Sequence, residues 1–188
     1  MRVSAFPKPY ADLVARLRVP GGFLLVAAFA WLSQPSVQSL AYGLPVGVLG
    51  LFVRGWAAGH LEKNMQLAET GPYAYVRNPL YIGTLLVAAG LVAASRRWIL
   101  AAIFAAVFLL IYLPVIQLEE QHLRKLFPEY DSYARHVPAL IPSWRHQAGP
   151  SPERRFRWKL YGRNEEYQAL IGFVAGALFL VYKLIFVH

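Results

Sequence analysis

Five long apolar runs decide what this chain can become. They cover residues 17–33, 37–58, 79–94, 98–118 and 167–187, and only short polar or basic segments interrupt them before residue 119. Crossing the hydrocarbon core of a bilayer takes about 20 apolar residues in a helix, and no other regular structure except a closed barrel satisfies its backbone there. The expected fold is therefore all-α, a polytopic membrane bundle of about five transmembrane helices. The third run is short and predicts a tight hairpin with the fourth across Ser95-Arg96-Arg97. Composition agrees, because only 15% of the residues are charged, against roughly 25% in an ordinary soluble domain.

Charge placement sets an orientation. Sixteen of the nineteen basic residues fall before or at the start of the first run, from the end of the second to the third, or between the fourth and fifth; Arg96, Arg97 and Lys183 fall on the opposite side. By the positive-inside rule the N-terminus faces the cytoplasm. The net charge of +9 then reads as contact with anionic lipid headgroups rather than with nucleic acid. No cleavable signal is expected ahead of the first run. The absence of cysteine excludes disulfides, thiolate catalysis and cysteine-ligated metal. His60, His122, His136, His146 and His188 are scattered, and no metal site is expected.

Small residues four apart occur at Gly43/Gly47, Gly55/Gly59 and Gly172/Gly176. Such pairs let helix backbones approach closely in lipid. They serve either a homodimer or packing within one chain, and the second is the favoured reading.

The polar chemistry gathers on one side. Asn78-Pro79 suits a helix start, with asparagine as cap and proline at the first helical position. A helix start attracts anions, and Arg77 adds a fixed positive charge. Because the third and fourth runs are antiparallel, Glu119 and Glu120 return to the same end, where carboxylates accept hydrogen bonds from an ammonium group. An anion site and a cation site at one mouth match the zwitterionic end of an amino acid. The competing account is that both acids are solvated and pair with Arg124 or Lys125. Downstream, residues 123–142 are too polar to span and predict a short amphipathic helix followed by a Pro-bounded extended segment. Tyr130 and Tyr133 share a face there.

These motifs occur in order: Gly71-Pro72-Tyr73, then Tyr75-Val76-Arg77-Asn78-Pro79-Leu80-Tyr81-Ile82-Gly83, Glu119-Glu120, Phe127…Tyr130…Tyr133, and Val137-Pro138…Ile141-Pro142. Together, over residues 71–144, they resemble the isoprenylcysteine carboxyl methyltransferase family and the related phospholipid methyltransferases. The resemblance implies an integral membrane methyltransferase using S-adenosyl-L-methionine, with an interfacial segment covering the cofactor pocket. It implies that Tyr75, Arg77, Asn78, Pro79, Tyr81, Glu119 and Glu120 hold the methionine end. Phe127, Tyr130, Tyr133, Val137 and Ile141 would close over the nucleoside, with further cofactor contacts at Tyr73, Val76 and Gly83. Asn78 stands where the prenylcysteine enzymes carry histidine, and asparagine cannot act as a base. Residues 1–164 read as the methyltransferase-like core and 165–188 as an extra C-terminal helix.

The acceptor is expected to be lipophilic, an isoprenoid, lipid or lipid-modified molecule arriving from the bilayer. A carboxylate acceptor needs a positive clamp, for which Arg54, Lys63 and Arg77 are candidates. An amine or hydroxyl needs a base, for which Glu119, Glu120 and His60 are candidates. Arg54 and His60 lie near the end of the second run, where interfacial snorkelling is the competing account. Two other functions stay open, a nicotinamide-dependent membrane reductase and a non-catalytic lipid-binding protein. No Gly-x-Gly-x-x-Gly signature supports a soluble nucleotide-binding sheet.

Overall fold

The helix boundaries follow from local chemistry. A computed structural model describes residues 8–144 and 155–187. Arg2, Arg145, Arg154, His146 and His188, used in the sequence reading, lie outside the described residues. Helix α1 (Lys8–Leu32) contains Pro20. Helix α2 (Val37–Ala58) opens on a capping box in which Ser36 and Ser39 each accept the other's backbone N–H, satisfying donors that the first turn leaves free. Helix α3 (Pro79–Ser95) starts on proline and stops where Arg96 turns left-handed at φ 56°, in the Ser95-Arg96-Arg97 turn expected from sequence.

Helix α4 (Trp98–Leu126) runs eight residues past the expected end at 118, so Glu119 and Glu120 ride on the same rod as its apolar half. It widens to a π turn at Phe108–Tyr112, just before Pro114. A proline inside a helix lacks the N–H for the usual bond, and a π turn is one way to absorb the mismatch. Three short elements follow or intervene: a 3₁₀ turn at Gly71–Ala74, α5 (Tyr130–His136) and α6 (Trp158–Arg163). Helix α7 (Tyr167–Phe186) closes the series. No strand occurs among the described residues.

The all-helical architecture matches the sequence reading, and three of the five expected spans are both long and apolar enough among the described residues. By length and apolarity α2, α4 and α7 can cross a membrane, while Pro20–Leu32 and Pro79–Ser95 are apolar but shorter. The turn after Ser95 ends the second of these. Large apolar side chains such as Phe23, Trp31, Phe52, Leu110 and Phe186 are exposed, as a lipid-facing surface requires.

Glycine decides how α2 and α3 meet. A Cβ on Gly43 would lie 2.5 Å from the Gly90 carbonyl oxygen, and one on Gly90 would lie 2.4 Å from the Gly47 nitrogen. Toward the other end, a Cβ on Gly50 or on Gly83 would lie 2.6–2.7 Å from the other's carbonyl oxygen. Backbones this close gain dispersion contact that lipid cannot replace. The Gly43/Gly47 pair therefore packs within the chain. Gly59 packs on Phe156, Gly55 approaches Tyr161 only at van der Waals distance, and nothing lies near Gly172.

At the end where α1 stops and α2 starts, cations meet backbone. Lys183 is buried and donates to the carbonyls of Ala30, Trp31 and Ser33, and Arg97 Nε donates to that of Leu32. Positive charge at a helix C-terminus offsets its dipole and its free carbonyls.

Candidate active site

The opposite end holds a cavity of about 580 Å³. Its lining follows helix periodicity. From the start of α3 come Arg77, Leu80, Tyr81 and Thr84; from α4 come Tyr112, Glu119, His122 and Leu123. Spacings of three, four and seven residues place each set on one face. The end of α2 adds Arg54, the loop after it adds residues including Lys63 and Leu67, and α5 adds Tyr130 and Tyr133.

The start of α3 and the end of α4 meet through side chains. The Tyr81 hydroxyl donates to Glu119 Oε2 at 3.0 Å. Arg77 Nη2 lies 3.2 Å from Glu120 Oε1, both residues mostly buried, and Asn78 Nδ2 donates to the same oxygen at 3.2 Å. Neither acid pairs with Arg124, which instead binds Asp131. Asn78 occupies the cap position, but its side chain makes no capping bond. Its amide bridges Glu120 and the Ala139 carbonyl, 3.1 Å away. The expected role of Asn78 as a side-chain cap is thus replaced by a brace between α4 and the segment after α5.

That segment fastens the motif loop from outside the cavity. Arg77 N–H donates to the Pro138 carbonyl, and Ser143 N–H to that of Tyr75. Val137 is buried in a core with Leu67, Tyr130 and Tyr133, whereas Ile141 is 80% exposed. The Tyr133 hydroxyl donates to the Tyr73 carbonyl at 2.7 Å.

Of the residues expected to hold a cofactor, Tyr73, Arg77, Tyr81, Glu119, Phe127, Tyr130 and Tyr133 line the cavity. Glu120 and Asn78 stand behind Arg77. Val76 and Pro79 are buried, Gly83 packs against α2, and Tyr75, Val137 and Ile141 do not line the cavity. Of the acceptor-side candidates, Arg54 and Lys63 line it and His60 does not. The His60 ring lies against Gly71 and Phe156, with Nδ1 2.9 Å from the Trp56 carbonyl.

Sequence reasoning missed Glu166. Its carboxylate takes Arg54 Nε at 2.9 Å and Nη2 at 2.8 Å. The one available signal was an acid just ahead of an apolar run, which alone says nothing about a partner 112 residues away.

Three tyrosines keep their protons firmly. Burial pushes the hydroxyls of Tyr73, Tyr130 and Tyr133 above the usual phenol range. The Glu166 and Glu119 carboxylates add to this at Tyr73, Glu120 at Tyr130, and the neighbouring tyrosines at Tyr133. The Tyr73 hydroxyl is buried without a hydrogen-bond partner, although it belongs to a cavity-lining residue. An unpaired buried hydroxyl is costly, and a polar ligand would satisfy it.

The arrangement fits a cofactor with an amino-acid end and a flat ring. Arg77 suits a carboxylate and Glu119 an ammonium group; Phe127, Tyr130 and Tyr133 present aromatic surface. The volume lies within the roughly 300–1,000 Å³ of small-molecule sites. No group of three metal-ligating side chains occurs among the described residues.

Comparison with known proteins bears on this geometry. A family model described as phospholipid methyltransferase matches residues 19–130. Nickel-cobalt-cadmium resistance protein NccN of Alcaligenes xylosoxydans xylosoxydans is 41% identical over 105 residues, 53% of this chain and 49% of that protein. Protein-S-isoprenylcysteine O-methyltransferase of Schizosaccharomyces pombe is 27% identical over 141 residues, covering 72% and 59%. Methanethiol S-methyltransferase of Crocosphaera subtropica is 41% identical over 71 residues, covering 37% and 27%. The chain spans about half the length of the curated relatives it matches first. No solved structure matches it.

Proposed function

This chain belongs to the phospholipid methyltransferase family, and on that premise we propose that it is a membrane methyltransferase using S-adenosyl-L-methionine. The observation that carries the reading is that Arg77, Glu119, an unpartnered Tyr73 hydroxyl and the aromatic face of α5 border one cavity. Two relatives named as methyltransferases support the reaction class.

When bound, S-adenosyl-L-methionine would supply an electrophilic methyl group to an acceptor lone pair, the sulfur keeping the electron pair of the broken bond. The chain's own residues bind and orient. Arg77, steadied by Glu120 and the Ala134 carbonyl, holds a carboxylate. Glu119, fixed by the Tyr81 hydroxyl, holds an ammonium group. Phe127, Tyr130 and Tyr133 would offer the ring an aromatic surface. Alignment of two reactants lowers a barrier by about 7–11 kcal/mol. The acceptor is lipophilic and arrives from the bilayer; the charge bias supports a multi-pass reading with the cavity and the N-terminus on the cytoplasmic side.

The test supplies tritiated methyl donor and a total membrane extract to the purified protein, and measures S-adenosylhomocysteine binding by calorimetry. Labelled lipid and measurable binding are expected. No binding, with NADPH bound instead, would point to a reductase and end the reading.

A further inference from the structure

The inner end of the cavity is built partly by residues that the family match does not reach. Glu166 lies just ahead of α7 and is 7% exposed. Besides its two bonds to Glu166, Arg54 donates through Nη1 to the Thr84 hydroxyl and to the Leu80 carbonyl at 3.5 Å. A guanidinium has five N–H donors, and these contacts engage four. Arg54 is thus bound within the protein rather than offered to a ligand. Asn164 fixes the turn that carries Glu166, donating to the carbonyls of Ala58 and Leu61 at 3.0 and 2.9 Å. The helix that bears Arg54 therefore also sets the position of its partner.

We propose that Glu166 is a specificity-determining residue: by engaging Arg54 it makes the inner end of the cavity accept an uncharged acceptor headgroup (thiol, hydroxyl or neutral amine) and refuse a carboxylate. The inference rests on the methyltransferase reading and names its substrate class. A carboxylate placed there finds Arg54 already paired with Glu166, so its own charge is left uncompensated in a partly buried site, which is disfavoured. An uncharged headgroup meets no such barrier, and the unpartnered Tyr73 hydroxyl, held protonated by burial and by the same acids, is left to hydrogen-bond it. The proton that such a headgroup releases goes to water.

The experiment compares decanethiol with decanoate as acceptors for tritiated methyl, using the full-length wild type, Glu166→Gln and Glu166→Asp, with S-adenosylhomocysteine affinity measured in parallel. The wild type is expected to favour decanethiol by about tenfold or more, the equivalent of one poorly compensated charge. Glu166→Gln releases Arg54 and should lower that ratio about tenfold, while Glu166→Asp restores it and donor-analogue affinity stays within about twofold. A wild type that methylates decanoate as well as decanethiol, a ratio unmoved in Glu166→Gln, or donor-analogue binding with transfer to neither acceptor would each overturn the proposal. Should Glu166→Gln fail to fold, the wild-type ratio alone decides. Loss of donor-analogue binding in the wild type itself would instead refute the methyltransferase reading.

Discussion

The two ends of the bundle use the same kinds of charged residue for opposite purposes. Where α1 ends, Lys183 and Arg97 donate to backbone carbonyls that the helix itself leaves open. At the cavity end, Arg77 and Arg54 donate to carboxylates, Glu120 and Glu166, that approach from other elements. A cation on a helix terminus completes the backbone hydrogen bonding and has no further task. A cation on a carboxylate beside an open cavity fixes a charged surface that a ligand can meet. Sequence position does not separate the cases, since Arg97 and Arg77 both sit next to an end of α3; the partner does.

Four substitutions or conditions test this contrast, in decreasing order of expected effect. Arg77→Ala leaves Glu120 partly buried without its partner and removes the cavity cation. Donor-analogue affinity should fall more than about 100-fold, with a loss of stability typical of a broken buried pair, about 3–5 kcal/mol. Lys183→Met should lower stability by about 1–3 kcal/mol through unsatisfied carbonyls, read as a lower thermal midpoint in detergent, yet leave donor-analogue affinity unchanged. Equal loss of binding in both variants would erase the contrast. Glu119→Gln keeps the shape and the Tyr81 contact but removes the charge, and a binding loss of about tenfold is expected, the scale of one charge-assisted hydrogen bond.

The smallest effect concerns pH. The Tyr133 hydroxyl sits above its unfolded value of about 10, so the fold favours its neutral form. Its contribution is complete below about pH 10 and declines as pH rises beyond that. Thermal midpoints should hold steady from about pH 7 to 9 and fall in more alkaline buffer. Tyr133→Phe should soften that fall while weakening the link to the Tyr73 carbonyl.

Much of the site was legible because it is local. Asn78-Pro79 begins a helix whatever surrounds it, and an antiparallel hairpin must return Glu119 and Glu120 to that helix's start. What the sequence could not supply was the division of labour between neighbours. Glu119 faces the cavity while Glu120 backs Arg77, because a helix turns about 100° per residue and only packing fixes which acid points inward. His60 and Ile141 carried plausible motifs, yet the first packs against Gly71 and Phe156 and the second is exposed.

The amino-acid sequence by itself determined the apolar helices, the segregation of polar motifs to one end and the family, since these depend on composition, periodicity and order along the chain. Tertiary structure alone decided that Glu166 meets Arg54, that glycines bring α2 onto α3, and that Lys183 closes α1. Each of those contacts joins residues far apart in the chain, and no local propensity records a partner that arrives only when the helices pack.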